Sequence, residues 1–369
     1  MKVPYLELKV KNKSHKKNLL NSFEKILDHG RIINGPEIKT FEKKLSNFLK
    51  TKYVVGLSSG SSALYLALRS LNIGRGDEVI TTPFTWIITI NAIIETGAKP
   101  IFADIGDDLN IEPTSIKKLI TKKTKAIVPM HVGGHMCDMK QISKIAKDNN
   151  LYIVEDAAQA ICSSLDGIRA GNFSEISAFS LNPMKILNAY GECGFISTNN
   201  NKLQKKILML RHAGTIRDNK KKEINNCYES SLNHKIDTIQ ASFVLSNLKS
   251  LNWRKKIRDN ISQIYDDELG NLINIQKKHK NEIHGRYLYI FTCNNRDKLF
   301  NYLQNQKIEC KIFYSPLTCD APIFKNNYFK VSNARKLLKK SLSIPLHENL
   351  TENQVEFIVG KIKKFYQYN

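Results

Sequence analysis

Between residues 52 and 200, short β-branched runs alternate with helix-length amphipathic segments, and no other feature restricts the fold as much. Lys52-Tyr53-Val54-Val55-Gly56-Leu57 precedes a stretch from Ser62 to Leu71 with apolar residues at helical spacing. Glu78-Val79-Ile80-Thr81 precedes Ile87 to Glu95, and Pro100 to Asp104 precedes Ser115 to Ile120. Ala126 to Pro129 precedes a helical segment at Met139 to Asp148, and Tyr152 to Glu155, Ile176 to Ser180 and Gly194 to Ser197 read as further strands. Such alternation predicts an α/β fold with a mostly parallel central sheet covered by helices on both faces. In sheets of this kind the ligand sits beyond the carboxyl ends of the strands.

Beyond residue 200 the pattern changes. Lys202 to Arg211, Asp237 to Lys249 and Leu251 to Leu269 read as helices. A smaller mixed unit follows, with strands near Tyr287 to Cys293 and Cys310 to Tyr314 and helices at Asp297 to Leu303 and Glu352 to Tyr366. The boundary falls near residue 250, giving a large domain over 1–250 and a small C-terminal α/β domain over 251–369. At 369 residues the chain is long enough for two cores.

Composition narrows the function classes. The chain is 41% hydrophobic and 25% charged, as in ordinary globular proteins. No apolar run approaches the roughly 20 residues of a membrane span, so no membrane partner is expected. Seven cysteines, odd in number and without a CxxC pair, fit a reduced, cytoplasmic protein. The net charge of +23 raises the question of nucleic acid. The lysines are scattered, however, as in Lys122-Lys123, Lys205-Lys206, Lys220-Lys221-Lys222 and Lys255-Lys256, and no aromatic residues interleave with them as stacking platforms. A solvated lysine-rich surface that favours an anionic substrate is expected, not a nucleic-acid partner.

The chemistry-bearing residues cluster at the predicted strand ends. Glu155-Asp156 closes the run Leu151 to Val154, and Lys185 lies in the turn after Ser177 to Ser180. A carboxylate and a lysine so placed suit pyridoxal 5'-phosphate (PLP): the lysine forms a Schiff base with the aldehyde, and Asp156 keeps the pyridine nitrogen protonated. Ser58-Ser59-Gly60-Ser61-Ser62 ends the first strand and opens a helix, which suits a phosphate, although it also reads as an ordinary N-cap. Trp86, after Pro83-Phe84-Thr85, offers a stacking face or a core side chain. Gln159 stands three residues past Asp156, within reach of a ring hydroxyl or as a polar helix start. His131 and His135 are four apart, but Gly133-Gly134 between them predicts a turn, and no metal is expected. His212, in Arg211-His212-Ala213-Gly214, is a candidate substrate contact or a loop anchor.

Together, Gly35-Pro36-Glu37, Ser59 to Leu64, Gly76-Asp77-Glu78-Val79-Ile80, Glu155-Asp156-Ala157-Ala158-Gln159, Asn182-Pro183-Met184-Lys185, Tyr190-Gly191-Glu192, Leu232-Asn233-His234-Lys235-Ile236-Asp237 and Ser343-Ile344-Pro345-Leu346-His347 occur in one order. In that set the chain resembles the DegT/StrS family of PLP-dependent sugar-nucleotide aminotransferases over essentially its whole length. The resemblance implies aminotransferase fold type I and a homodimer with shared active sites. It makes Lys185 the Schiff-base and proton-shuttling lysine, Asp156 the partner of the pyridine nitrogen, Gln159 the donor to the ring oxygen and Trp86 the stacking face. Ser61, Ser62 and Ser180 become phosphate contacts, and Asn233 reaches the same phosphate from the neighbouring subunit. The implied substrates are an amino-acid donor, L-glutamate by family habit, and a nucleotide-linked keto-sugar, leaning to 3-keto over 4-keto, for amino-sugar and surface-glycan (lipopolysaccharide) biosynthesis.

Lys235 stands where relatives usually carry Arg, Cys193 where they carry Gly, His135 where Gln is frequent, and Phe313-Tyr314-Ser315-Pro316 where His-Tyr-Pro is common. Lys235 and Tyr314 are therefore candidate substrate residues alongside His212. A PLP-dependent sugar dehydratase shares this fold but typically replaces the Schiff-base lysine by histidine, against which Lys185 argues. A non-catalytic regulator is the other alternative, and no helix-turn-helix, zinc or RNA-binding signature supports it.

Overall fold

The computed structural model describes residues 1–216 and 226–368. The Lys220-Lys221-Lys222 run lies outside the described residues. Helices α1 (Lys13–His29) and α2 (Pro36–Leu49) lead into β1 (Tyr53–Leu57), α3 (Gly60–Ser70), β2 (Glu78–Thr81), α4 (Ile87–Glu95), β3 (Lys99–Phe102) and α5 (Pro113–Leu119). Then come β4 (Thr124–Val128), α6 (Met139–Asp148), β5 (Tyr152–Asp156), the short β6 (Ser164–Leu165) and β7 (Ile168–Arg169), β8 (Ile176–Ser180), β9 (Gly194–Thr198) and α7 (Asn201–Arg211). The remainder holds α8 (Thr238–Leu248), α9 (Leu251–Leu269), β10 (Asn274–Ile275), β11 (Glu282–Ile283), β12 (Tyr289–Thr292), α10 (Arg296–Asn305), α11 (Ser332–Leu338), β13 (Ser341–Ile344) and α12 (Glu352–Gln367).

Seven strands form the central sheet in the order β1-β9-β8-β5-β4-β2-β3. Its pairings are parallel from β8 through β5, β4 and β2 to β3, and only β9 runs against its neighbours β8 and β1. The two faces bury different cores, as the period-2 alternation of a strand requires. On β1, Val55 and Leu57 pack with α3 and α7, whereas Val54 joins Phe41, Leu45 and Leu49 of α2 on the opposite face. On β4, Ala126 and Val128 face the first set and Ile127 the second. The predicted α/β architecture with a mostly parallel sheet is what the chain adopts.

A second sheet, β10-β12-β13, packs with α9, α10 and α12 around a separate core containing Tyr265, Phe291, Leu342 and Ile358. Val3 is buried in that core too and pairs with Ile308, so the chain start lies against the C-terminal unit. Cys310 to Tyr314, expected as a strand, makes only a bridge of Lys311 with Ser343, and the third strand is β13. The reason is local: Tyr314 takes φ 58°, which turns the chain out of the extended region. Helix α1 was not anticipated, because it buries only Leu19 and Ile26 while Leu20 and Leu27 stay exposed, a pattern that blurs its periodicity. Among the described residues no helix is long and apolar enough to cross a membrane. Six of the seven cysteines are buried, as small core residues would be, whereas Cys227 is exposed.

Candidate active site

The carboxyl ends of β1, β2, β5 and β8 meet residues of the C-terminal unit around a cavity of about 940 Å³. Its wall includes Ser59, Gly60, Ser61, Trp86, Asp156, Gln159, Ser180, Lys185 and Tyr314. Residues separated by more than 250 positions thus share one concavity.

Adjacent acids on β5 point to opposite faces, and their surroundings differ accordingly. Glu155 is fully buried in a polar cage: His131 Nε2 lies 3.2 Å away, and Gly171 N, Phe173 N and the Ser174 and Ser177 hydroxyls donate to it at 2.7–3.3 Å. Burial alone would raise its pKa, but His131 and these donors hold it below the usual carboxylate range. Asp156, 3% exposed, faces the cavity with less support. Thr89 Oγ1 donates to its Oδ2 at 2.8 Å and Ala158 N to its Oδ1 at 3.2 Å, and Asp156 has no ion-pair partner within 4.0 Å among the described residues. Burial therefore wins and pushes its pKa up, against the opposing pull of Thr89, the Ala158 N–H and the Lys185 charge. A buried carboxylate of this kind is completed by a cationic N–H, which a protonated pyridine supplies.

Lys185 follows β8 in a turn fixed by Lys185 N donating to Asn182 O at 2.8 Å and Met184 N to Asn182 Oδ1 at 3.1 Å. Its Nζ lies 4.4 Å from the centroid of the Tyr287 ring. Across the cavity, α3 begins with Ser59 as N-cap, its hydroxyl accepting from Ser62 N at 3.1 Å. A Cβ on Gly60 would stand 2.7 Å from Ser180 Cβ, so glycine lets the helix start close over β8 and aim free N–H groups at the cavity. An anion cradle, an amine and an unpaired buried carboxylate fit the phosphate, aldehyde and pyridine nitrogen of PLP.

Ser62, expected beside Ser61 in the phosphate site, is not in the wall. A step along a helix rotates a side chain by about 100°, and the Ser62 hydroxyl instead meets Ser58 Oγ at 2.9 Å and His234 Nδ1 at 3.0 Å. Trp86 is 65% exposed at the N-cap of α4 and lines the cavity, so it is not a core side chain. Gln159 is clamped: Gly133 N donates to its Oε1 at 2.8 Å, and its Nε2 donates to Tyr314 OH at 2.5 Å. Asn233, Lys235 and His212 lie outside this chain's cavity wall. Asn233 is exposed and bridges to His212 at the C-cap of α7, and half-buried Lys235 bridges to Leu57.

Several wall residues were not found in the sequence. Thr89, in the first turn of α4, meets Thr85, which precedes the N-cap Trp86, with the two hydroxyls 2.9 Å apart. Tyr287, Arg258, Lys311 and Tyr5 come from distant segments and carry no local signal. Arg258 is committed to Glu348, at 2.9 Å through Nη2, whereas Lys311 is exposed with its Nζ 5.0 Å from the Tyr5 ring centroid.

The Gly133-Gly134 turn expected between His131 and His135 is present, as a 3-10 turn over Val132–Gly134 with both glycines at positive φ. Asp108, His135 and His279 offer metal-ligating atoms within 4.8 Å of one another. Their charges are already matched. His135 Nδ1 is 2.8 Å from Glu282 Oε1, its Nε2 faces Asp108 Oδ2 at 3.3 Å, and burial, which would lower its pKa, is outweighed by both carboxylates, which push it up to about 9. The His135 and His279 rings stack at 18°, and near-parallel planes cannot aim two lone pairs at one ion.

Comparison with known proteins adds to this geometry. The profile of the DegT/DnrJ/EryC1/StrS aminotransferase family matches residues 13–363. The chain is 32% identical to a "Pleiotropic regulatory protein" of Geobacillus stearothermophilus, covering 100% of both chains. It is 30% identical to a "dTDP-3-amino-3,6-dideoxy-alpha-D-galactopyranose transaminase" of Aneurinibacillus thermoaerophilus, covering 98% of this chain and 99% of that one. A solved structure of S. venezuelae DesV in complex with a ketimine intermediate superposes with a TM-score of 0.93 at 29% identity, covering 99% of this chain and 98% of that one.

Proposed function

The chain belongs to the DegT/DnrJ/EryC1/StrS aminotransferase family of PLP-dependent enzymes, and from that premise we propose that it moves an amino group from L-glutamate to a nucleotide-linked 3-keto-sugar. The observation that carries this reading is the meeting of Lys185, an unpaired Asp156 and the N-terminus of α3 in one cavity, wide enough for a sugar nucleotide. The named product of the Aneurinibacillus relative, a dTDP-linked 3-amino sugar, supports the substrate class and the ring position.

PLP, when bound, supplies the electron sink that makes a substrate C–H acidic. The chain's residues do the rest. The α3 N–H groups, with Ser61 and Ser180, hold the phosphate, and Asp156 keeps a proton on the pyridine nitrogen. Trp86 covers a ring face, and Gln159, oriented by Gly133 N, hydrogen-bonds the ring oxygen. Lys185 Nζ takes a proton from the substrate carbon and gives one back. Both substrates occupy the cavity in turn, so the scheme is ping-pong. Tyr314, His212 and Lys235 are assigned to sugar-nucleotide contacts, the last two through the neighbouring subunit of a homodimer, where exposed Asn233 reaches the partner's phosphate.

We propose the same two units as the sequence suggests, 1–250 and 251–369, with the cavity at their seam. The product serves glycan biosynthesis in the cytoplasm. The test is a panel of nucleotide-linked 3-keto- and 4-keto-sugars offered with glutamate, with the product's amino position read by NMR. Glutamate-dependent 3-amination is expected. Amination at C4 only would overturn the ring position, and salt-sensitive DNA binding without turnover on any sugar would favour a regulator.

A further inference from the structure

We propose that the face of Tyr287 is the docking place of the Lys185 ammonium whenever that amine is released from the cofactor, which makes Tyr287 a positioning residue for the proton step. The inference rests on the reading of Lys185 given above. Lys185 Nζ lies 4.4 Å from the Tyr287 ring centroid, well inside the distance at which an aromatic face attracts a cation.

One partner is fixed and the other is free to swing. Tyr287 is buried in the cavity wall, its N–H donating to Gly133 O at 3.0 Å and its carbonyl accepting from Arg258 Nη1 at 3.3 Å. Gly133 also donates to Gln159, so ring and amide are set by one turn. The lysine backbone is anchored to Asn182, but its four-carbon stem can carry the amine between two positions.

The chemistry calls for such a place. The amino-acid donor displaces Lys185 as a neutral amine in the first half-reaction, and the amine stays free until the amino-sugar product is released in the second. In each half-reaction a C–H at one end of the C–N unit breaks, an N–H forms on Nζ, and the resulting ammonium passes that proton to the carbon at the other end and becomes an amine again. A carboxylate beside it would trap the charge in a hydrogen bond. The Tyr287 face attracts the ammonium while leaving its protons free to move. Of the other charged groups in the wall, Arg258 is taken by Glu348 and Glu192 by Asn182 at 2.7 Å, Lys311 is itself a cation, set over the Tyr5 ring, and Asp156 forms no ion pair with Lys185.

The test uses the cofactor-free protein, so its outcome does not depend on which sugar the enzyme accepts. Lysines are labelled with acetic anhydride at one pH, and the Lys185 peptide is quantified against the Lys311 peptide by mass spectrometry. Loss of the ring removes the contact that holds the ammonium, so Tyr287→Met should label at Lys185 roughly 2- to 30-fold faster than wild type. Tyr287→Phe, which keeps the face, should label as wild type does. In the PLP-loaded protein, Tyr287→Met should also raise the isotope effect with Cα-deuterated glutamate while leaving its KM unchanged. Tyr287→Leu is the second ringless variant, should Met disturb packing. Unchanged Lys185 labelling in the ringless variants would overturn the proposal, as would a Phe variant that moves as far as they do. Failure of wild type to bind PLP would instead overturn the functional reading.

Discussion

Asp156 owes its behaviour to what surrounds each of its oxygens. One accepts from Thr89 and the other from a single backbone N–H, and the side chain is buried. Thr89 therefore opposes the upward push of burial on the Asp156 pKa and aims the carboxylate at the cavity, and its hydroxyl is in turn met by Thr85. A hydrogen bond to a charged group contributes about 1.5–3 kcal/mol. Thr89→Val, nearly isosteric, should accordingly lower Tm and weaken PLP binding about tenfold or more, as measured by calorimetry and cofactor titration. Wild-type affinity in that variant would remove Thr89 from the site. The acidic pair and the lysine were legible in the sequence because each closes a strand, where an α/β sheet collects its chemistry. Thr89 was hidden in a helix that reads as apolar, and Tyr287 lies a hundred residues from the lysine it meets.

At the scale of elements, the start of α3 and the Gly133-Gly134 turn organise the site. Gly60→Ala would force a Cβ to within 2.7 Å of Ser180 Cβ, lifting α3 from β8. Differential scanning calorimetry should record a Tm lower by a few degrees, with the loss recovered in the double variant Gly60→Ala/Ser180→Gly. The His135 cluster makes a different prediction. Its pKa rises from about 6.5 to about 9 in the folded chain, so its ion pairs contribute fully below pH 6.5 and are lost as pH climbs through 9. Tm should fall across that window in wild type, and the slope should flatten in His135→Gln. An identical slope in the variant would assign the effect to other groups. The sheet was readable because strands of β-branched residues alternate with long amphipathic helices, and the bounds of α4, α6 and α9 coincide with those expected. The C-terminal unit was harder. Its strands are as short as two residues, and Tyr314 breaks an apparent strand with a backbone angle that no local pattern announces.

For the whole molecule, the functional reading assigns each site residues from two subunits. Exposed Asn233 lies outside its own chain's cavity, and exposed Ile32, Ile33 and Leu232 offer apolar surface. Mixing Lys185→Ala with Asn233→Ala chains should regain activity in heterodimers, approaching about a quarter of the wild-type sites for random pairing. Activity no greater than that of either parent would argue for sites built from one chain. The account as a whole stands on one covalent claim. Incubation with PLP, borohydride reduction and peptide mapping should place the pyridoxyl mass on Lys185 and leave the chain's other lysines unmodified. A label on a different lysine, or no label in a folded protein saturated with PLP, would contradict it.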